Sequence, residues 1–235
     1  ADTGAAPPTE VSEAAHAGCL SFEMSSGRQH YIVNAGVDTY GAAEFRPLAR
    51  VTAAHSTATV EDTSSARFSH SARVLDLIGT PLVGGPQRVE SRRIDDAGRQ
   101  GFVAGHDGYV RRFGILHERE LTLSATGDRL AGRDRFLRAD GSRVRDGGRD
   151  SIAIRFHVHP DTELLRDARD RLVLTAEAAD AWLFTCDEAT PEVEESIFFA
   201  GLGGPRRSRQ IVLAFRAAEL PEVHWRFERI GRSDE

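Results

Sequence analysis

The sequence predicts an all-β protein, built as a large two-sheet antiparallel β-sandwich of the supersandwich type. About a dozen short segments alternate apolar and polar residues with a period of two, which is the pattern of a strand with one buried face. Turn residues separate these segments, and helical character is confined to residues 160–169 and 178–181. Regularly spaced strands without intervening helices are typical of a sandwich.

The N-terminal half begins with residues 1–15, whose Ala, Thr, Pro and Gly content predicts a linker or an edge segment. The first strand follows, where Leu20, Phe22 and Met24 alternate with polar residues. Residues 25–27 supply turn chemistry before the next strand. Further strands are predicted at residues 31–33, 74–78, 121–123 and 129–132.

The C-terminal half contains the clearest alternation. Ile154 and Phe156 point to one face of a strand, while His157 and His159 share the other, which we expect to be solvated. A groove lined by these histidines is the alternative. The remaining strands are predicted at residues 172–175, 182–185, 197–199, 211–215 and 225–227. The residues expected in the interior are Phe22, Ile154, Phe156, Trp182, Phe184, Val212 and Trp225.

Composition limits the class of protein. A chain of 235 residues can form one large sandwich domain, and no apolar run is long enough to span a bilayer. The net charge of -6 argues against a broad nucleic-acid surface. All 30 basic residues are arginines, whose planar guanidinium pairs bidentately with carboxylate or sulfate. Cys19 and Cys186 lie in apolar segments and are expected to be buried thiols.

Several motifs together resemble one known family, the C-terminal β-sandwich domain of heparinase II/III-like polysaccharide lyases. They are AHAGCLSFEM at 15–24, IVNAG at 32–36, RVTAAHST at 50–57, HDGY at 106–109, HEREL at 117–121, FHVHP at 156–160 and RQIVL at 209–213. The resemblance implies that residues 16–235 form this domain of a bacterial, periplasmic enzyme. It also implies that an N-terminal helical toroid domain of the same protein lies outside this sequence, and that the substrate is an acidic polysaccharide.

Three residues form a candidate metal site. His16, Asn34 and His55 lie in successive segments that adjacent strands could bring together, and two imidazoles with an oxygen donor can hold a divalent ion such as zinc. Their spacing matches no short metal motif. The resemblance places the family's metal-binding His, Asp and His on these three positions, with Asn34 replacing the Asp. A structural polar cluster is the alternative.

The family motif at the first segment departs further from the pattern. Its first His, which in the family lies near the reacting sugar, falls on Ala14, and its Asp falls on Gly18. Loss of that His removes a proton-transfer group. The departures favour either catalytic groups located elsewhere or a site that has lost its chemistry.

Two further segments contain candidate functional residues. Glycines flank His106 and Asp107, which predicts an exposed loop in which His106 and Tyr109 bind substrate. A hairpin turn with Tyr109 anchoring the next strand is the alternative. Residues 117–120 are expected to form an exposed strand with cross-strand ion pairs.

The function implied by the resemblance is β-elimination on a uronic-acid-containing polysaccharide. The family's central Asn and Tyr belong to the helical domain, so the catalytic residues are unknown and the isolated chain is expected to be inactive. The alternative is a non-catalytic carbohydrate-binding or scaffolding sandwich. The absence of a Gly-x-Ser-x-Gly elbow argues against a serine hydrolase.

Overall fold

The computed structural model describes residues 1–37, 43–96, 98–145, 147–201 and 203–232. Strands make up 46% of the chain and helices 11%, which confirms the all-β prediction. No helix within these ranges is long and apolar enough to cross a membrane. The strands are β1 Met24–Ser26, β2 Gln29–Val33, β3 Ala58–Val60, β4 Arg67–Phe68, β5 Leu82–Gly84, β6 Val89–Asp96, β7 Arg99–His106, β8 Leu116–Leu123, β9 Arg129–Leu137, β10 Ser151–Val158, β11 Glu163–Arg166, β12 Leu172–Thr175, β13 Asp180–Cys186, β14 Pro191–Phe198, β15 Arg206–Arg216 and β16 Glu222–Arg232.

Two large antiparallel sheets form the sandwich. The first has the strand order β1-β2-β10-β15-β14, and β3 also pairs with β10, beyond the end of β2. The second has the order β11-β12-β13-β16-β9-β8-β7-β6. A two-stranded ribbon of β4 and β5 lies apart from both. The described residues also contain three short α-helices, α1 Arg46–Arg50, α2 Ala72–Ile78 and α3 Val110–Phe113, and a few 3₁₀ turns.

The core lies between the two large sheets. Phe156 of β10 packs edge-to-face on Trp225 of β16, with ring centroids 4.7 Å apart, and Phe22 stacks on the same indole at 5.4 Å. All seven residues expected in the interior are buried. Val212, however, lies outside the central core cluster. Its neighbours along the strand, Ile211 and Leu213, belong to that cluster, so alternation directs Val212 to the opposite face of the sheet.

The outer face of β10 is covered rather than solvated, so the expectation for His157 was wrong. His157 is 4% exposed, and its Nε2–H donates to the carbonyl of Ala53 at 2.9 Å. Ala53 belongs to a short 3₁₀ helix at Thr52–Ala54, which lies over this face. Alternation identified the face but could not identify the loop that covers it.

Four local predictions were wrong. The first strand was expected at residues 20–24 and a turn at residues 25–27, but β1 spans Met24–Ser26 and Leu20 has a positive φ of 62°. Residues 74–78 were expected to form a strand but lie in helix α2, none of whose residues is buried. Conversely, the helical character expected in residues 160–169 is absent, since β11 occupies the middle of that segment. Residues 178–181 form a turn and the start of β13. Short apolar runs have an ambiguous period, and tertiary pairing decides between the two structures.

The N-terminal segment packs onto the body of the domain. Ser12 is fully buried, and its hydroxyl oxygen accepts the backbone N–H of Leu82 at 2.8 Å. The buried guanidinium of Arg50 donates to the carbonyls of Ser12 at 3.1 Å and Ala15 at 2.7 Å. Cys19 and Cys186 are free thiols; Cys19 is buried as expected, whereas Cys186 is half-buried.

Candidate functional site

His16 and His55 meet in the structure. His16 lies in the loop before β1, and His55 lies in extended backbone directly after the 3₁₀ helix. Nδ1 of His16 is 3.0 Å from Nε2 of His55, and the rings are nearly perpendicular. Because the Val51 carbonyl can only accept, Nδ1 of His55, 2.8 Å away, must donate to it. In the neutral pair, His16 therefore donates to His55 and keeps a lone pair on its own Nε2.

Both rings are neutral at pH 7. Burial, the neighbouring His55 and the nearby arginines lower the pKa of His16 to about 4. Burial also lowers the pKa of His55, which is 6% exposed. Protonation of the pair is unfavourable because it would place a positive charge in a poorly hydrated site.

Gly18 is required by the position of the His55 ring. A Cβ atom at Gly18 would lie 2.7 Å from Cδ2 of His55, closer than side chains pack. The Asp that the family motif has at this position therefore does not fit unless His55 moves. This contact gives a physical reason for one departure from the motif.

Asn34 does not join the two imidazoles. Its Oδ1 accepts the backbone N–H of Ser56 at 2.9 Å, and its Nδ2 donates to Oε1 of Glu23 at 3.2 Å. The amide thus lies beside the residue that follows His55 and is occupied by structural hydrogen bonds.

As they stand, these residues do not fit a zinc centre. Zinc sites usually combine three or four imidazole, thiolate or carboxylate ligands, whereas His16, Asn34 and His55 supply two imidazoles and a neutral amide. Among the described residues, no group of three or more His, Cys, Asp or Glu side chains could hold a metal ion.

The predicted substrate-binding residues are buried. Tyr109 is 1% exposed and donates its hydroxyl to the carbonyl of Ala58 at 2.8 Å, and burial raises its pKa. His106 is also 1% exposed, and its Nδ1 accepts the N–H of Gly108 at 3.1 Å. Shallow grooves border both residues, but the side chains face inward. The expectation of an exposed loop was therefore wrong, and Tyr109 is a buried anchor that contacts β3 rather than the next strand. Substrate binding by His106 and Tyr109 stays a prediction.

Comparison with known proteins identifies the family. The family model described as "Heparinase II/III-like, C-terminal" matches residues 1–226. The chain belongs to this family. The heparan sulfate lyase HepC from Pedobacter heparinus has a similar fold, with a TM-score of 0.68 and 13% identity over 92% of this chain and 31% of that chain. A crystal structure of heparinase III superposes with a TM-score of 0.63 and 10% identity over 93% of this chain and 30% of that chain.

The chain also has a sequence relative that is not named as a heparinase. FtsZ-localized protein C from Caulobacter vibrioides is 33% identical over 231 residues, which cover 95% of this chain and 38% of the relative. This heparinase II/III-like domain thus spans between about a third and two fifths of the length of the proteins it matches.

Sequence reasoning missed a buried ionic network behind the His16–His55 pair. Asp134 on β9 accepts hydrogen bonds from His117 at 2.7 Å, from Arg119 at 2.8 and 3.1 Å and from the indole N–H of Trp225 at 2.7 Å. Nη1 of Arg119 also donates to the carbonyl of Ser56 at 2.8 Å, next to His55. The network therefore fixes the loop that positions the His55 ring.

The expectation of an exposed strand at residues 117–120 was half correct. His117 and Arg119 are fully buried, whereas Glu118 and Glu120 point outward and pair with Arg135 and Arg133. The sequence contained a pattern that predicts the burial of His117 and Arg119. His117 and Arg119 are in phase with Leu121, an apolar residue of the same strand.

Proposed function

We propose that this domain is part of a bacterial polysaccharide lyase that cleaves a uronic-acid-containing polysaccharide by β-elimination. The observation that carries the proposal is the family match over residues 1–226. The fold shared with two heparinases supports it, although at their low identity that likeness concerns architecture. A helical domain in the rest of the protein, an acidic polysaccharide substrate and a periplasmic location belong to the same proposal.

The chemistry explains why the domain would need the rest of its protein. β-Elimination requires neutralisation of the uronate carboxylate, a base for the adjacent proton and an acid for the leaving oxygen. His16 lies on the surface side of the pair, but a pKa of about 4 makes its imidazole a poor base at neutral pH. Ala14 stands where the family has a His. The domain therefore shapes substrate, while the reacting groups come from elsewhere.

The test compares the 235-residue chain with the full-length product of its gene. Each is incubated with heparan sulfate, alginate and other uronans, and the ultraviolet absorbance of the unsaturated uronate product is followed. We expect activity from the full-length protein and none from the isolated domain. A full-length protein that is folded but inactive on every uronan would refute the lyase proposal.

A non-catalytic binding or scaffolding domain is the second candidate. It is favoured by Ala14, by the Gly18–His55 contact, and by the relative whose name describes it as localized by FtsZ. Sedimentation of the full-length protein with FtsZ polymers tests this candidate. Co-sedimentation together with absence of uronan cleavage would favour scaffolding, whereas cleavage without co-sedimentation would favour the lyase.

Metal analysis tests the zinc site that the sequence predicts at His16, Asn34 and His55. From the ligand set described above, we expect the purified chain to contain zinc well below one equivalent and EDTA to leave its Tm unchanged. Elemental analysis after gel filtration checks this expectation. A stoichiometric zinc content that disappears in His16→Ala would show that the site rearranges around an ion.

A further inference from the structure

A pair of surface grooves lies on the opposite side of Ala66 from His16. These adjoining grooves, of about 470 and about 480 Å³, share lining residues: the first lies between the β4–β5 ribbon and helix α3, and the second extends along the ribbon to helix α1. Ala66 lines both the second groove and a smaller pocket that contains His16. The residues shared by the two grooves are Thr63, Ser64, Arg67, Val83 and Arg112. We call this connected surface the arginine groove.

The arginine groove has an excess of positive charge. Arg67, Arg111 and Arg112 line it and are exposed, and no ion pair is found for any of them within the described part of the chain. Asp107 is the one acidic residue among its described lining residues. Oδ1 of that carboxylate already accepts the backbone N–H groups of Gln87 at 2.8 Å and Arg88 at 3.1 Å.

Two other large grooves on the molecule lack this imbalance. The groove beside β11 and β14 combines Arg207 and Arg209 with Glu163 and Glu195. The groove beside β6 combines Arg88 and Arg92 with Glu90 and Glu118. Mixed charges of this kind neutralise one another locally, so neither groove attracts an anion as strongly.

The walls of the arginine groove are ordered by internal contacts. The buried guanidinium of Arg50 lies 4.4 Å from the centroid of the Phe68 ring and donates to the carbonyl of Thr80 at 2.9 Å. Arg112 lies over the ring of Phe113 at 5.2 Å. Hydroxyl groups of Thr63 and Ser64 complete a lining that combines cations with hydrogen-bonding groups.

We propose that the arginine groove binds the carboxylate or sulfate groups of an acidic oligosaccharide through Arg67, Arg111 and Arg112. Three neighbouring guanidinium groups repel one another, and an anion in the groove relieves that repulsion. The planar guanidinium matches both carboxylate and sulfate in a bidentate geometry. The choice of a glycan as the ligand rests on the proposed function, whereas the preference for an anion rests on the groove itself.

The experiment measures binding of a heparin oligosaccharide by calorimetry at constant ionic strength. The variant carries Arg67→Gln, Arg111→Gln and Arg112→Gln. The control carries Arg28→Gln, Arg92→Gln and Arg207→Gln, three exposed arginines outside the groove with no ion pair among the described residues. Both lose the same formal charge. We expect the groove variant to bind about tenfold more weakly, since each exposed charged contact contributes a few-fold, and the control to bind like the wild type.

A set of ligands with different anionic groups shows which group the arginine groove binds. Alginate presents carboxylates alone, desulfated heparin removes the sulfates, and an RNA homopolymer presents phosphates. Tighter binding of heparin than of its desulfated form assigns the groove to sulfate, and equal binding assigns it to carboxylate. Equal weakening in the groove and control variants, or tighter binding of RNA than of any glycan, would overturn the proposal.

Failure of the groove and failure of the lyase proposal give different results. If the wild-type domain binds no acidic glycan while the full-length protein still cleaves a uronan, the groove assignment is wrong and the lyase proposal stands. If binding depends on the three arginines while the full-length protein cleaves nothing, the groove assignment stands and the lyase proposal falls. Circular dichroism of both triple variants confirms that folding is unchanged.

Discussion

At the scale of single residues, Asp134 is a buried charge with three side-chain hydrogen-bond partners. Its carboxylate, fully buried, receives hydrogen bonds from His117, Arg119 and Trp225. Although burial alone would raise the pKa of Asp134, Arg119 and His117 hold that pKa below its ordinary value. The carboxylate thus stays ionised and neutralises a guanidinium that has no access to water.

We predict that Asp134→Asn is strongly destabilising. Removing one partner of a buried ion pair typically lowers the free energy of unfolding by about 3–5 kcal/mol, because the remaining charge is left uncompensated. Urea denaturation measures the change. The matched control is Glu120→Gln on the outer side of β8, where the part-exposed pair with Arg133 should contribute less than about 1 kcal/mol. Similar losses in both variants would contradict the role of the buried network.

Buried neutral histidines predict a pH dependence of stability. The pKa is lowered for His16, His55, His106, His117 and His157. Burial is the main cause for His157, whose pKa falls from 6.5 to about 4. Because the folded state resists protonation, this contribution is fully present above pH 6.5 and is lost as the pH falls towards 4.

The free energy of unfolding should therefore decrease between pH 6.5 and pH 4. His157 alone contributes on the order of 3 kcal/mol to this decrease. Urea denaturation at several pH values measures the slope, and His157→Gln should make it shallower. A free energy that is constant across this window, or a slope unchanged in the variant, would be inconsistent with a buried neutral imidazole.

At the scale of elements, alternation along the strands determines how the two sheets face each other. Gly132 on β9 pairs with Trp225 on β16, and the indole lies across the position that a Cβ of residue 132 would occupy. The missing side chain lets Trp225 reach Asp134 with its indole N–H. Strand geometry and the ionic network therefore depend on the same glycine.

We predict that Gly132→Ala destabilises the domain. An added methyl would overlap the Trp225 ring, and overpacking of this kind typically costs about 1–3 kcal/mol. The control is Gly147→Ala, where the nearest atom to an added Cβ is the Arg145 carbonyl oxygen at 3.9 Å. Thermal unfolding compares the two variants. Equal Tm values would mean that the indole can move without loss.

At the scale of the whole molecule, the domain has a core of its own. One cluster of buried residues joins both sheets, from Phe22 and Tyr31 through Phe156 to Trp225 and Phe227. A sandwich with a shared core is expected to fold as one unit, even where the chain is a fraction of a longer protein.

We predict that the isolated 235-residue chain folds and unfolds cooperatively. Its far-ultraviolet circular dichroism should be dominated by strand signal, in keeping with the 46% strand and 11% helix of the structure. Coincident thermal transitions by circular dichroism and tryptophan fluorescence check this expectation. Helix above about a quarter of the chain, or two separate transitions, would contradict a single β-sandwich core.

The sequence by itself determined the fold class, most strands of the core and the family. Alternation places Ile154 and Phe156 inward regardless of what else the chain does, because side chains of a strand alternate between two faces. The family motifs extend over most of the sequence, and the match over residues 1–226 confirms the resemblance.

Tertiary structure alone decided what covers each face and which distant groups meet. The burial of His157 depends on the loop at Ala53, and Arg119 donates to the carbonyl of Leu20 from a distant strand. The helix at Ala72–Ile78 and the arginine groove likewise depend on where the segments pack. A period of two specifies the direction of a side chain but carries no information about its partner, because contacts between distant segments are set by how the whole chain folds.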